Sequence, residues 1–148
     1  MRRMTFTDIY AIRRVEKDDF VEIYSFADYL KFILYYPLLC MVVEVDGELA
    51  AFIVGNTNID DGVVYGHVSS LVVRPSYRRR GFAMMLMEEF EKACRDELGC
   101  TFINFNVNHK NKAALSLYGK LGYSVHSTLP GYYQDASDAL EMRKTIAT

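Results

Sequence analysis

Val72-Val73-Arg74-Pro75-Ser76-Tyr77-Arg78-Arg79-Arg80-Gly81-Phe82-Ala83 is the stretch on which the fold turns. An apolar, β-branched run stops at a proline. Three arginines and a glycine follow, and a helical pattern begins at Ala83 and runs through Met84, Leu86, Met87 and Phe90. A strand that turns sharply into a helix aims unpaired backbone N–H groups, the positive end of the helix dipole and a cluster of guanidinium groups at one point. That is a receptor for phosphate. An arginine run is also what a solvated face looks like. Followed by Gly-x-Ala and a helix, this one points instead to a phosphorylated cofactor.

Working outward, Thr7-Asp8 is placed to cap a short helix through Ile9, Ile12 and Val15. A second helix is expected over 25–35, ending before Pro37. Residues 40–45 form a nearly unbroken apolar run and read as a strand. Asp46-Gly47 is a strong hairpin signal, closed by a strand over 48–56. A polar turn is expected at 58–62 and a long strand over 63–73. A helix over 81–98 ends at Gly99, a strand follows over 101–107, and a helix over 111–121 stops at Gly122. Residues 123–128 and 139–144 read as closing strands. The order is strand, two helices, three strands, helix, strand, helix, two strands. It predicts a mixed, mostly antiparallel sheet of six to seven strands with about four helices on its two faces, an α/β (α+β) architecture.

The 148 residues fit a single domain, long enough to bury roughly two-thirds of the unfolded chain's surface. A formal net charge of -2 argues against a dominant nucleic-acid function. The basic cluster at Arg78, Arg79 and Arg80 therefore needs a local explanation. Cys40, Cys94 and Cys100 lack metal-ligand spacing. Free buried thiols are their expected state, which points to a reducing, cytoplasmic setting. The first residues lack the apolar core of a signal peptide. The longest apolar stretch, 29–43, is broken by Lys31 and Pro37 and is too short to span a bilayer.

Two motifs carry a resemblance. The first is Arg78-Arg79-Arg80-Gly81-Phe82-Ala83 after a strand. The second is Asn111-Lys112-Ala113-Ala114-Leu115-Ser116-Leu117-Tyr118-Gly119-Lys120-Leu121-Gly122-Tyr123. In this order and separation they resemble the GNAT superfamily of acetyl-CoA-dependent N-acetyltransferases. Glu22-Ile23-Tyr24, residues 29–37, Gly66-His67-Val68, Tyr132-Tyr133 and Met142-Arg143-Lys144 are similar, within it, to the catalytic subunits of N-terminal acetyltransferase B (NatB). That likeness runs from about residue 22 to 144. It departs at Ser25, where NatB chains have glycine, at Ser69, where they have threonine, and between Tyr133 and Ala139, where this chain is shorter.

The resemblance implies a GNAT fold and transfer of an acetyl group from acetyl-CoA to the α-amino group of proteins beginning Met-Asp, Met-Glu, Met-Asn or Met-Gln. Backbone N–H groups from Arg79 through Arg80, Gly81, Phe82 and Ala83 to Met84 would hold the pyrophosphate. Arg78 stands at the first motif position. The strand before the turn would splay from its neighbour, exposing the N–H of Leu71 or Val72 to the thioester carbonyl, with Val73 beside them on the cofactor side. Tyr118 would protonate the leaving thiolate; the bland alternative is a core tyrosine. Asn111 matches a cofactor-contacting position and is equally a plain helix N-cap.

No acid stands out on the central strand as a general base. His67 and Ser69 share one strand face. An imidazole can take a proton from an ammonium, but the resemblance assigns His67 and Ser69 to reading the second residue of the peptide. A satisfied strand histidine is the third reading. Tyr132 and Tyr133 match a pair that clamps the peptide backbone; in a strand only one of them would face the substrate. Glu22 and Tyr24 match positions near the peptide N-terminus, and Phe26 is a candidate wall for a Met1 pocket. The helix over 25–35 is apolar on more than one face. Core packing explains one face, and a second partner the rest. By resemblance that partner is a large auxiliary subunit that tethers the enzyme to the ribosome, with no direct contact to nucleic acid or membrane. The competing readings are an acetyltransferase with another residue-two preference, and a CoA-binding subunit without turnover.

Overall fold

The computed structural model describes residues 1–14 and 24–146. Its strands are β1 (Arg2–Arg3), β2 (Cys40–Val45), β3 (Glu48–Asp60), β4 (Val63–Val73), β5 (Phe102–Asn108), β6 (Ser124–Leu129) and β7 (Ala139–Thr145). Its helices are α1 (Asp8–Ile12), α2 (Phe26–Tyr35), α3 (Phe82–Asp96) and α4 (Lys112–Lys120). The sheet runs β1-β2-β3-β4-β5-β7-β6. Every neighbouring pair is antiparallel except β4–β5. The predicted order and the mixed, mostly antiparallel sheet are what the chain forms.

Strand alternation feeds two cores. Ala51 and Ile53 of β3 join Leu86, Met87, Phe90 and Cys94 of α3 on one face, together with Val68, Ile103, Phe105 and Met142. Phe52 and Val54 turn the other way, onto Ile9 and Ile12 of α1 and Tyr29 of α2. A strand buried on both faces is apolar at successive positions, which is why residues 49–54 read as a continuous run. Asp46 and Gly47 both have positive φ, the primed-turn geometry that the dipeptide predicts.

Local details differ from the sequence expectation. β3 continues to Asp60, and the turn shrinks to Asp61-Gly62, because Asn58, Ile59 and Asp60 pair with Tyr65, Val64 and Val63. Asn58, Ile59 and Asp60 are exposed, so this end of β3 is held by its backbone pairing and needs no apolar alternation. Thr7 has helical φ and ψ and makes no side-chain cap. Asp8 instead turns back to accept from Thr5 N at 2.7 Å and from Arg2 at 2.8 and 2.9 Å. Val15 lies outside the described residues. Cys100 sits in the turn before β5, and all three cysteines are buried and free. No helix among the described residues is long and apolar enough to cross a membrane.

Candidate active site

β4 and β5 pair only from Tyr65–His67 to Phe102–Asn104. Beyond that seam β4 stays on β3 as far as Val73, while β5 stays on β7 as far as Asn108. The two parallel strands therefore part towards their C-terminal ends and open a cleft of about 880 Å³ between the 68–73 and 105–108 segments. A register shift between β3 and β4 leaves Ser69 as an extra residue at the mouth of the opening. Arg74 N donates to Ala50 O at 2.9 Å, which sets the phase of β4. Antiparallel residues bond alternately toward their partner. Counting back, Val72 and Ser70 turn to β3, whereas Leu71 and Val73 turn their backbone groups to the open side. On that side Arg78 Nε donates to Val73 O at 3.1 Å, and Tyr24 Oη donates to Ser69 O at 3.2 Å.

At the far end of the cleft the chain passes through a 3₁₀ turn, Pro75–Tyr77, and into α3. Arg79 has φ +66° and Gly81, the residue capping α3, has φ +79°. Left-handed residues on either side of Arg80 curl the backbone into a concavity whose N–H groups converge at the positive end of α3. A side chain at Gly81 would meet open space, so the glycine is required by its φ and not by crowding. The concavity, the helix end and the splayed strand fit a long ligand with a pyrophosphate at one end.

Tyr118 projects from α4 into the cleft, its ring 4.3 Å from Phe105 and 6.3 Å from Tyr123. Burial pushes its phenol above the ordinary value, so it keeps its proton at neutral pH. Asn111 caps α4, accepting from Ala114 N at 3.2 Å, and also lines the cleft. His67 lines it at the seam, with Nδ1 2.8 Å from Asn104 Oδ1.

The family model for the acetyltransferase (GNAT) family matches residues 7–123. This chain is a GNAT acetyltransferase. N-alpha-acetyltransferase 20 of Dictyostelium discoideum is 32% identical over 147 residues, covering 99% of this chain and 85% of that protein. The N-terminal acetyltransferase A complex catalytic subunit NAA10 of Arabidopsis thaliana is 30% identical, covering 99% of this chain and 77% of the other. The crystal structure of Chaetomium thermophilum Naa20 in complex with a bisubstrate analogue superposes with a TM-score of 0.90 at 27% identity, over 97% of this chain and 85% of that one. The enzyme's acetyl donor is acetyl-CoA, and the nest and splay of this chain suit it.

Within this GNAT cleft the structure gathers His67, Ser69, Leu71, Val72, Val73, Arg78, Arg79, Gly81, Phe82, Ala83, Met84, Asn111, Tyr118, Tyr24, Tyr132 and Tyr133. Arg80 is not among the lining residues; its guanidinium stacks over the Tyr77 ring, 5.3 Å from the centroid. Phe26 does not reach the cleft either. It opens α2 with its ring 5.5 Å from Tyr10, and the aromatic facing the cleft from this segment is Tyr24. Glu22 lies outside the described residues.

Tyr132 and Tyr133 are not in a strand. They sit in the turn between β6 and β7, packed edge to face at 5.0 Å, so the strand rule that only one would face the cleft does not apply and both line it. The turn is tied by Gly131 N to Asp138 at 3.0 Å and by Asn108 Nδ2 to Ser137 Oγ at 3.0 Å. The sequence reading also passed over Asn106 and Asn108, which line the cleft, and over Asn104. Their signal was present: asparagines at every second position of a strand that otherwise reads Ile103, Phe105, Val107.

Proposed function

We propose that this chain transfers the acetyl group of acetyl-CoA to the α-amino group of protein N-termini, with Met-Asp, Met-Glu, Met-Asn and Met-Gln as its substrates. The observation that carries the reading is the parting of β4 from β5 just past His67, with a phosphate nest at one end and aromatic walls at the other. When bound, the cofactor supplies an activated acyl carbon and a thiolate leaving group. The backbone N–H groups from Arg79 to Met84 hold its pyrophosphate, and Arg78 and Arg79 add charge. The Leu71 N–H, turned to the open side, donates to the acyl oxygen as charge builds there. The Tyr118 hydroxyl would deliver its proton to the departing sulfur, while the amine, arriving neutral, would release its remaining proton to solvent, from which the phenol is restored. His67 and Ser69 read the second residue of the peptide. Tyr24, Tyr132 and Tyr133 hold its backbone.

A large auxiliary subunit covers α2 in this reading. Leu34 and Tyr35 of that helix are exposed at 57% and 73% of their surface, and the Arabidopsis relative is the catalytic subunit of a complex. The complex works in the cytoplasm on nascent chains, through a ribosome tether supplied by the partner. The same relative favours a second reading, Nα-acetylation with another residue-two preference. Acetylation of peptides that differ only at residue two decides between them. Turnover of Met-Asp and Met-Asn peptides well above Met-Ala supports the first, and the reverse order overturns it. If CoA binds and no peptide is acetylated even with the auxiliary subunit present, the chain is a binding module.

A further inference from the structure

A chain of hydrogen bonds holds the His67 ring, and its members have no part in the acetyl transfer described above. Asn104 Oδ1 lies 2.8 Å from His67 Nδ1, and Asn104 Nδ2 donates to Glu141 Oε2 at 2.9 Å. Glu141 also accepts from Ser127 Oγ at 2.9 Å and from Arg143 Nε at 2.6 Å. The groups come from neighbouring strands: His67 faces Asn104 in the β4–β5 seam, Asn104 faces Arg143 across β5–β7, and Ser127 faces Glu141 across β6–β7.

Elementary chemistry forces the direction of this chain. Burial alone would lift the Glu141 carboxyl, but the bonds from Asn104, Arg143 and Ser127 outweigh it and hold the group below its ordinary range. An ionised carboxylate only accepts. The Asn104 amide must therefore turn its NH₂ to Glu141 and its carbonyl oxygen to His67. A carbonyl also only accepts, so the hydrogen between the two belongs to Nδ1. In the neutral ring Nε2 is then bare.

We infer that Asn104 and Glu141 are positioning residues that lock neutral His67 in the Nδ1–H form, so that the ring offers the cleft a hydrogen-bond acceptor. Histidine in water favours the opposite tautomer, so the chain reverses an intrinsic preference. The substrate chemistry this selects is a side-chain donor at residue two, the amide of Asn or Gln. An acidic side chain at that position requires the doubly protonated ring. Nδ1 donates to Asn104 in that state too, so the ring keeps its place whichever side chain is bound. The consequence for substrates rests on the proposed N-terminal reading; the tautomer does not.

Nitrogen-15 NMR of the full chain, labelled at histidine and recorded with the rings neutral, tests the lock. His67→Gln identifies the signals of that ring among the three histidines. The wild type is expected to carry its proton on Nδ1. Glu141→Gln keeps the shape but lets the Asn104 amide turn either way. Asn104→Leu removes the acceptor. Both should move the proton towards Nε2. In the same variants the kcat/KM ratio of Met-Asn to Met-Ala peptides should fall about tenfold, through KM rather than kcat, as expected for one misdirected hydrogen bond. A wild-type ring protonated on Nε2 overturns the lock whatever the substrate proves to be. A shifted tautomer with an unchanged peptide ratio overturns the positioning role. A wild-type enzyme indifferent to residue two overturns the substrate reading and leaves the tautomer assignment standing.

Discussion

Tyr118 is a phenol whose surroundings keep its proton on. Burial raises it, and its ring packs on Phe105 in the cleft wall. A group in that state can give a hydrogen, and cannot accept the amine's. Tyr118→Phe should therefore leave CoA binding by calorimetry unchanged and lower kcat by about 10²-fold in a peptide acetylation assay. An unchanged kcat would reduce Tyr118 to packing. With the acid form as the working form in the proposed mechanism and its titration above the ordinary value of 10, the wild-type rate should not fall with phenol ionisation as pH approaches 10. At this scale Tyr118, Asn111 and Gly81 were legible because each stands at a fixed place in a motif that spans a turn and a helix. Asn104 and Glu141 were not. They are 37 positions apart, each an ordinary polar strand residue, and only the β5–β7 register brings them onto the same carboxylate–amide bond. Phe26, expected from its sequence neighbourhood to wall a Met1 pocket, stands at the start of α2 with its ring packed on Tyr10.

Two short elements make the cleft, and each rests on a glycine. At the β3–β4 irregularity, a Cβ on Gly55 would come 2.4 Å from His67 O and 2.6 Å from the Phe90 ring. Gly55→Ala should thus cost about 1–3 kcal/mol by urea unfolding, through forced repacking. It should also blunt peptide discrimination, because the backbone it pushes is that of His67. At the head of α3, Gly81 holds φ +79° with space around it. Gly81→Ala should destabilise by about 1–2 kcal/mol, the strain of a left-handed residue, and weaken CoA binding by calorimetry. Gly81→Glu should abolish binding by placing a carboxylate against the diphosphate; undiminished affinity in that variant would dismiss the nest. The helices and most strands were readable because their periodicity and stop signals agree. The β3–β4 arm and the 130–138 turn were not. Their form is set by backbone pairing and by ties such as Gly131 N to Asp138, and neither leaves an apolar pattern in the sequence.

Across the whole molecule, several buried groups fold with raised affinity for their protons. Burial lifts Tyr123, helped by the nearby Glu91 carboxylate to which it donates at 2.9 Å, and burial lifts Tyr118; both start from 10.0. Burial pushes Cys40 from 9.0 up to about 12. A group that binds its proton more tightly folded than unfolded contributes its full stability below the unfolded value, and loses it as pH rises through that value towards the folded one. The urea midpoint should hold steady to about pH 8 and fall through pH 9 to 11, with the thiols becoming titratable by a disulfide reagent over the same span. A midpoint that stays level through pH 11 would refute this. The single parallel seam has a mechanical consequence as well. Among the described residues, three residue pairs and the Thr101 N to Val64 O bond beside them make the backbone ladder that joins the β1–β4 plate to the β5–β7–β6 plate. A molecule wedged between the plates works as a keystone, fastening both to itself where they have stopped fastening to each other. Saturation with CoA at about a hundredfold over Kd should raise stability by about 2.7 kcal/mol. Deuterium should then enter the amides of 65–67 and 102–104 more slowly, far from the phosphates but at the apex where the plates would otherwise pivot.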